Sequence, residues 1–86
     1  MSYTVSFRPA AGRDLKALQE VDQKRIGAKI DALAKNPRPP GSKMLQGEER
    51  YMCLRVGTFR VIYDVRDEEL LVLVIRIAHR REVYRK

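Results

Sequence analysis

Arg55 and Arg60 are the two side chains whose type and spacing most directly suggest chemistry on an anion. Residues 51–56 and 59–65 read as strands, and Gly57-Thr58 between them fits a two-residue hairpin loop. Glycine at the first central position is what a type II′ turn requires. That loop sets Val56 opposite Phe59, and therefore Arg55 directly opposite Arg60. Like charges at directly opposed positions destabilise a sheet by a few tenths of a kcal/mol or more. Folding gives no reason to place them there, whereas an anion held between two guanidinium groups does. The competing reading is that Asp64, Glu48 or Glu49 neutralises each arginine locally, and both guanidinium groups engaged by carboxylates would decide for it.

A second concentration of charge follows the last strand. Arg76, Arg80, Arg81, Arg85 and Lys86 face one acid, Glu82, and Tyr84 sits among them. An aromatic ring in a basic patch can stack on an unpaired base, worth roughly 1–3 kcal/mol; the alternative is a core anchor. His79, the one histidine, is the only side chain here that ordinarily titrates near neutrality, which makes it the expected proton carrier, with Tyr84 second. The plainer reading is a structural or solvated histidine. One histidine and one cysteine, Cys53, leave too few ligands for a metal site and exclude an internal disulfide, so no cofactor is expected. No nucleophilic triad, carboxylate pair or phosphate-binding glycine loop competes with the arginines.

Composition sets the frame. Eighty-six residues leave room for one domain, 1–86, with a modest core, and a 44% apolar share is globular rather than disordered. Eighteen Lys and Arg against eleven Asp and Glu give +7, and arginine outnumbers lysine. Arginine forks onto phosphate through paired donors, so the charge points to RNA; an acidic protein partner, or solubility alone, would also account for it. No apolar run approaches the ~18 residues of a membrane span, and the N-terminal residues lack a signal-peptide pattern. A cytoplasmic protein is the expectation.

The elements that must position these residues follow from periodicity. Residues 3–7 alternate as a strand, and Pro9 suits the first turn of a helix whose stripe is Leu15, Leu18 and Val21. Asp22 is a plausible N-cap for a second helix carrying Ile26, Ile30 and Leu33, stopped at Asn36-Pro37. Residues 37–42 form a stiff Pro-rich connector. Three strands then follow, at 51–56, 59–65 and 70–77, with a turn at Asp67-Glu68-Glu69. Alternation puts Met52, Leu54, Val56, Phe59, Val61, Tyr63 and Val65 on the core face, and assigns Leu71, Leu73, Ile75 and Ile77 to it as well. Tyr51, Cys53, Arg55, Arg60, Ile62, Asp64, Val72, Val74 and Arg76 are left on the open face. The last strand, apolar nearly throughout, belongs inside the sheet. The expected class is α+β, in the order β-α-α-β-β-β, with an N-terminal helical hairpin on one face of a mainly antiparallel sheet.

The segments 43–47 (KMLQG), 54–63 (LRVGTFRVIY) and 79–84 (HRREVY) resemble the RelE family, toxins of the RelE/ParE superfamily of type II toxin–antitoxin pairs. The resemblance covers essentially the whole chain. It implies a ribosome-dependent, metal-independent endoribonuclease that cleaves mRNA through the substrate's own 2′-hydroxyl, inhibits translation, and is neutralised by a small acidic antitoxin. By the same resemblance Arg60 and Arg80 match the family's site arginines and Tyr84 its C-terminal tyrosine, while Arg55, Lys43 and His79 match recurrent basic positions. Tyr51 and Cys53 stand where the best-known enterobacterial member has two lysines credited with phosphate contact and base work. The cationic Arg76, Arg81 and Arg85 are expected to contact RNA. The rival expectations are a ParE-like toxin, which shares the fold and inhibits DNA gyrase, and a non-catalytic basic module that binds RNA or protein.

Overall fold

The computed structural model describes residues 2–47 and 50–79. Its elements run β1 (Thr4–Phe7), α1 (Pro9–Lys16), α2 (Glu20–Ala32), β2 (Ser42–Met44), β3 (Met52–Val56), β4 (Phe59–Arg66) and β5 (Leu71–His79), with a 3-10 turn at Asp67–Glu69. The sheet order is β1-β5-β4-β3-β2. Strand β1 lies parallel to β5, and the other neighbouring pairs are antiparallel. The α+β class and the element order hold, with one strand more than expected. Three residues of β2 are too few to show an alternation, and they pair with β3 only after the Pro-rich connector turns the chain.

Helix α1 starts on Pro9, whose missing N–H is no loss in a first turn. Its fully buried residue is Ala11; Leu15 and Leu18 pack at the core's margin, and Val21 is 65% exposed, outside the stripe expected for it. Helix α2 begins before Asp22, after Gln19, and no side chain caps it. Asp22 instead joins Glu20 in the first turn, where a negative charge suits the helix dipole. The Gln23 amide reaches back to the carbonyls of Leu18 at 2.7 Å and Lys16 at 3.3 Å, tying down the link between the helices.

The core lies between the helices and one face of the sheet. Ala11, Ile26, Ile30 and Leu33 meet Met52, Leu54, Val56, Val61, Tyr63, Val72, Val74 and Ile77. Burying a side chain of the Val, Leu or Ile kind stabilises by about 1.5–3 kcal/mol, so this layer holds the sheet in shape. Tyr63 is wholly buried and its hydroxyl donates to the Pro37 carbonyl at 2.7 Å, fastening the connector to the core. Burial pushes the Tyr63 phenol above its ordinary pKa.

Strand β5 departs from the expected alternation. Val72, Val74 and Ile77 are buried, whereas Leu71, Leu73 and Ile75 are only half-buried. The cause is a bulge: Ile62 pairs with Arg76 and Tyr63 with Val74, so Ile75 has no cross-strand partner. One extra residue reverses the phase of a period-two pattern. Ile77 and Arg76 beyond the bulge keep their expected faces, while 71–74 are inverted. No helix among the described residues is long and apolar enough to cross a membrane.

Candidate functional site

The hairpin forms with the register that its loop dictates. Val56 pairs with Phe59 and Arg55 with Arg60. Gly57 has φ +60°, the left-handed value that a type II′ turn demands of its first central residue, while Thr58 keeps a negative φ. A Cβ on Gly57 would come within 2.8 Å of Arg25 Nη1, so α2 backs the turn from the core side.

On the open face the strands align two cationic rows. Lys43 of β2 lies opposite Cys53, Cys53 opposite Ile62, and Ile62 opposite Arg76. The next row is Arg55, Arg60 and Ala78. An open cleft of about 520 Å³ lies over these strands, with Lys43, Leu45, Cys53, Arg55 and Arg60 in its wall. Among the described residues, three cations and no carboxylate line it. Cys53 is buried in its floor, where Arg60 Nη1 donates to the sulfur at 3.6 Å. Arg55 is exposed, and no described carboxylate forms a salt bridge with it. Asp64, one of the three acids that could have neutralised the pair, is bound to Arg66 at 3.0 Å; Glu48 and Glu49 lie outside the described residues.

Arg76 is placed differently. Strand β1 ends at Phe7 opposite Val74, so the edge of β5 beyond that point needs another cover. The Arg8 N–H donates to the Val74 carbonyl at 2.9 Å, and α1 then brings Asp14 to the edge. Asp14 accepts from Arg76 Nε at 2.8 Å, from Arg76 Nη2 at 3.2 Å and from the Ile77 N–H at 2.9 Å. Partial burial opposes ionisation of Asp14, but the hydrogen bonds from Arg76 and Ile77 together with nearby positive charge outweigh it and hold the carboxyl below its ordinary value. Arg76 thus sits at the rim of the cationic face, joined to a carboxylate. No local pattern marks Asp14 for this role: its partner is 62 residues away.

His79 lies opposite Phe59, and the two rings meet edge to face at 5.3 Å and 73°. Phe59 packs against the core cluster, so strand pleating puts His79 on the helix-covered face and Arg60 on the other. The structure brings Lys43, Arg55 and Arg60 together and does not bring His79 to them. Arg80, Arg81, Tyr84 and Arg85 lie outside the described residues.

The far end of the hairpin layer has the opposite electrostatics. Asp67 accepts from the Tyr3 hydroxyl at 2.6 Å and from both terminal nitrogens of Arg38, at 3.2 and 2.9 Å. The Arg38 and Tyr3 hydrogen bonds lower the Asp67 pKa.

Among the described residues this is a basic cleft without a carboxylate, on the open side of a five-stranded sheet with two helices behind it, in an α+β protein. The model of the family described as "ParE toxin of type II toxin-antitoxin system, parDE" matches residues 5–84. Toxin RelG of Mycobacterium tuberculosis is 32% identical over an alignment of 91 positions that covers all of both chains. A putative RelE-like toxin protein of Escherichia coli is 31% identical over 81 residues, 93% of this chain and 85% of that one. The toxin–antitoxin complex RelBE2 of M. tuberculosis superposes with a TM-score of 0.82 at 30% identity, over 93% of this chain and 100% of the other. The chain belongs to the RelE/ParE family of type II toxin–antitoxin toxins, and its curated relatives are RelE-like.

Proposed function

We propose that this toxin is a ribosome-dependent endoribonuclease that cuts mRNA and thereby stops translation, and that an acidic antitoxin restrains it by covering the same face. The observation that carries the reading is the cleft: three cations, Lys43, Arg55 and Arg60, converge there, with no carboxylate among the described lining residues. Attack by the substrate's own 2′-hydroxyl needs no metal. The protein has to hold the RNA, stabilise charge on the phosphoryl oxygens and protonate the leaving oxygen. Arg55 and Arg60 supply the charge, usually the largest single contribution to such a step. Arg80 and Tyr84 join them by family resemblance, Arg80 on the phosphate and Tyr84 against a base, and Arg81 and Arg85 extend the basic track. Arg76 contributes less to that track, because Asp14 already compensates it. His79 is given no part in proton transfer, since it packs on Phe59 behind the sheet. Solved relatives include toxin–antitoxin complexes, which supports an antitoxin as partner.

The test is to map 5′ ends on an mRNA held in ribosomes, with the wild type and with Arg60→Ala plus Arg80→Ala. Codon-positioned ends that vanish in the double variant support the nuclease. The match to the ParE description favours one second reading, an inhibitor of DNA gyrase; trapped gyrase cleavage complexes in place of cut mRNA would support it. If neither appears, a non-catalytic binding module remains.

A further inference from the structure

We propose that Lys43 is a catalytic residue of this cleft, the acid that protonates the departing 5′ oxygen of the RNA; the role rests on the nuclease reading above. The argument begins with the register. Lys43 is paired with Cys53, two residues along β3 from Arg55. At about 3.4 Å per residue and about 4.8 Å between strands, its Cα lies about 8 Å from that of Arg55, close enough for both side chains to reach one phosphate. Lys43 is exposed and shares the cleft wall with Arg55 and Arg60, so its ammonium opens onto the space the arginines charge.

Elimination then singles it out among the described residues. Arginine keeps its proton at any working pH, so Arg55 and Arg60 stabilise charge and do not transfer protons. Cys53 is buried in the floor with its sulfur accepting from Arg60. Gly41, Met44, Leu45 and Gln46 of the same wall carry no ionisable group. His79 is on the other face. Lys43 alone offers an acidic proton on a stem long enough to follow a leaving group.

The step balances as follows. The 2′-oxygen bonds to the adjacent phosphorus and its proton passes to water. The P–O5′ bond breaks, Lys43 gives a proton from Nζ to O5′, and the products are a 2′,3′-cyclic phosphate and a 5′-hydroxyl. Lys43 then regains a proton from solvent.

Replacing the bridging 5′ oxygen by sulfur tests this, because a thiolate leaves without protonation. Single-turnover cutting is measured on ribosomes programmed with the oxygen or the 5′-phosphorothiolate mRNA, using wild type, Lys43→Arg and Lys43→Met. General acids are worth about 100-fold or more, so Lys43→Arg, which keeps the cation, should lose about that factor on oxygen and recover to near the wild-type rate on sulfur. Lys43→Met should also recover on sulfur, less completely, for want of its charge. Equal losses on both substrates overturn the role and leave Lys43 a phosphate contact; so does undiminished cutting of the oxygen substrate by Lys43→Arg. A wild type that cuts neither substrate overturns the nuclease reading itself, and this role with it.

Discussion

The two ends of strand β4 treat arginine in opposite ways. At one end Arg60 lies across from Arg55, and the cleft above them has no carboxylate among its described lining residues. Six residues on, about 20 Å away, Arg66 is bound to Asp64, and beside it Arg38 is bound to Asp67. Among the described residues, the carboxylates on and beside β4 pair with arginines at the end away from the hairpin. Under the proposed function, the hairpin end is where positive charge meets the RNA phosphate. Arg76 falls between the two regimes, on the cationic face yet joined to Asp14, and its pair fastens α1 to the edge of β5.

The largest expected effect comes from breaking the hairpin end. Arg60→Ala should lower cleavage of ribosome-bound mRNA by about 100-fold or more, the usual loss when a preorganised charge is removed from a transition state. The unfolding midpoint should not fall by a comparable measure, since a like-charge contact is relieved; a collapse of stability would show Arg60 to be structural. Next is Asp14→Ala, which leaves Arg76 and the Ile77 N–H without their acceptor and should cost about 1–3 kcal/mol in denaturant unfolding. Its pH dependence has a definite sign. The folded-state pKa of Asp14 lies below the unfolded value, so its contribution is complete above about pH 4 and is lost as pH falls through the lowered value. The acid limb of stability should therefore flatten in Asp14→Ala. Gly57→Ala forces a Cβ into left-handed φ and should cost about 1–2 kcal/mol, measured by urea melts. The smallest effect belongs to the paired end. Asp67→Asn, on an exposed cluster, should lower the melting temperature slightly and leave cleavage unchanged.

Turn chemistry made the hairpin legible in the sequence. Gly57-Thr58 fixes one register, and Arg55 opposite Arg60 follows from it without any knowledge of the rest of the fold. The helical cores at Ile26, Ile30 and Leu33 were equally legible, since one face at helical spacing admits one reading. What could not be read depends on partners far away in the chain. The bulge at Ile75 lies inside a run in which every residue is apolar, so no polar residue marks the change of phase. Strand β2 exists because β3 offers it an edge, and its pairing is what brings Lys43 to the cleft. Asp14 looks like any helix acid until β5 is laid beside it. The face of His79 was legible as well, since it shares the parity of Ile77, and beyond the bulge that parity holds.

The claim that Arg55 and Arg60 are kept together for an anion, against the interest of folding, is tested most directly by Arg55→Glu. The measurement is the thermal unfolding midpoint of this variant and of the wild type, each with and without a short single-stranded RNA. A carboxylate opposite Arg60 converts a repulsive cross-strand pair into an attractive one, so the free variant should melt higher than the free wild type. The wild type should melt higher still when RNA is added, and the variant should not respond. A free variant that melts lower than the wild type, or one that RNA stabilises as strongly, would contradict the account.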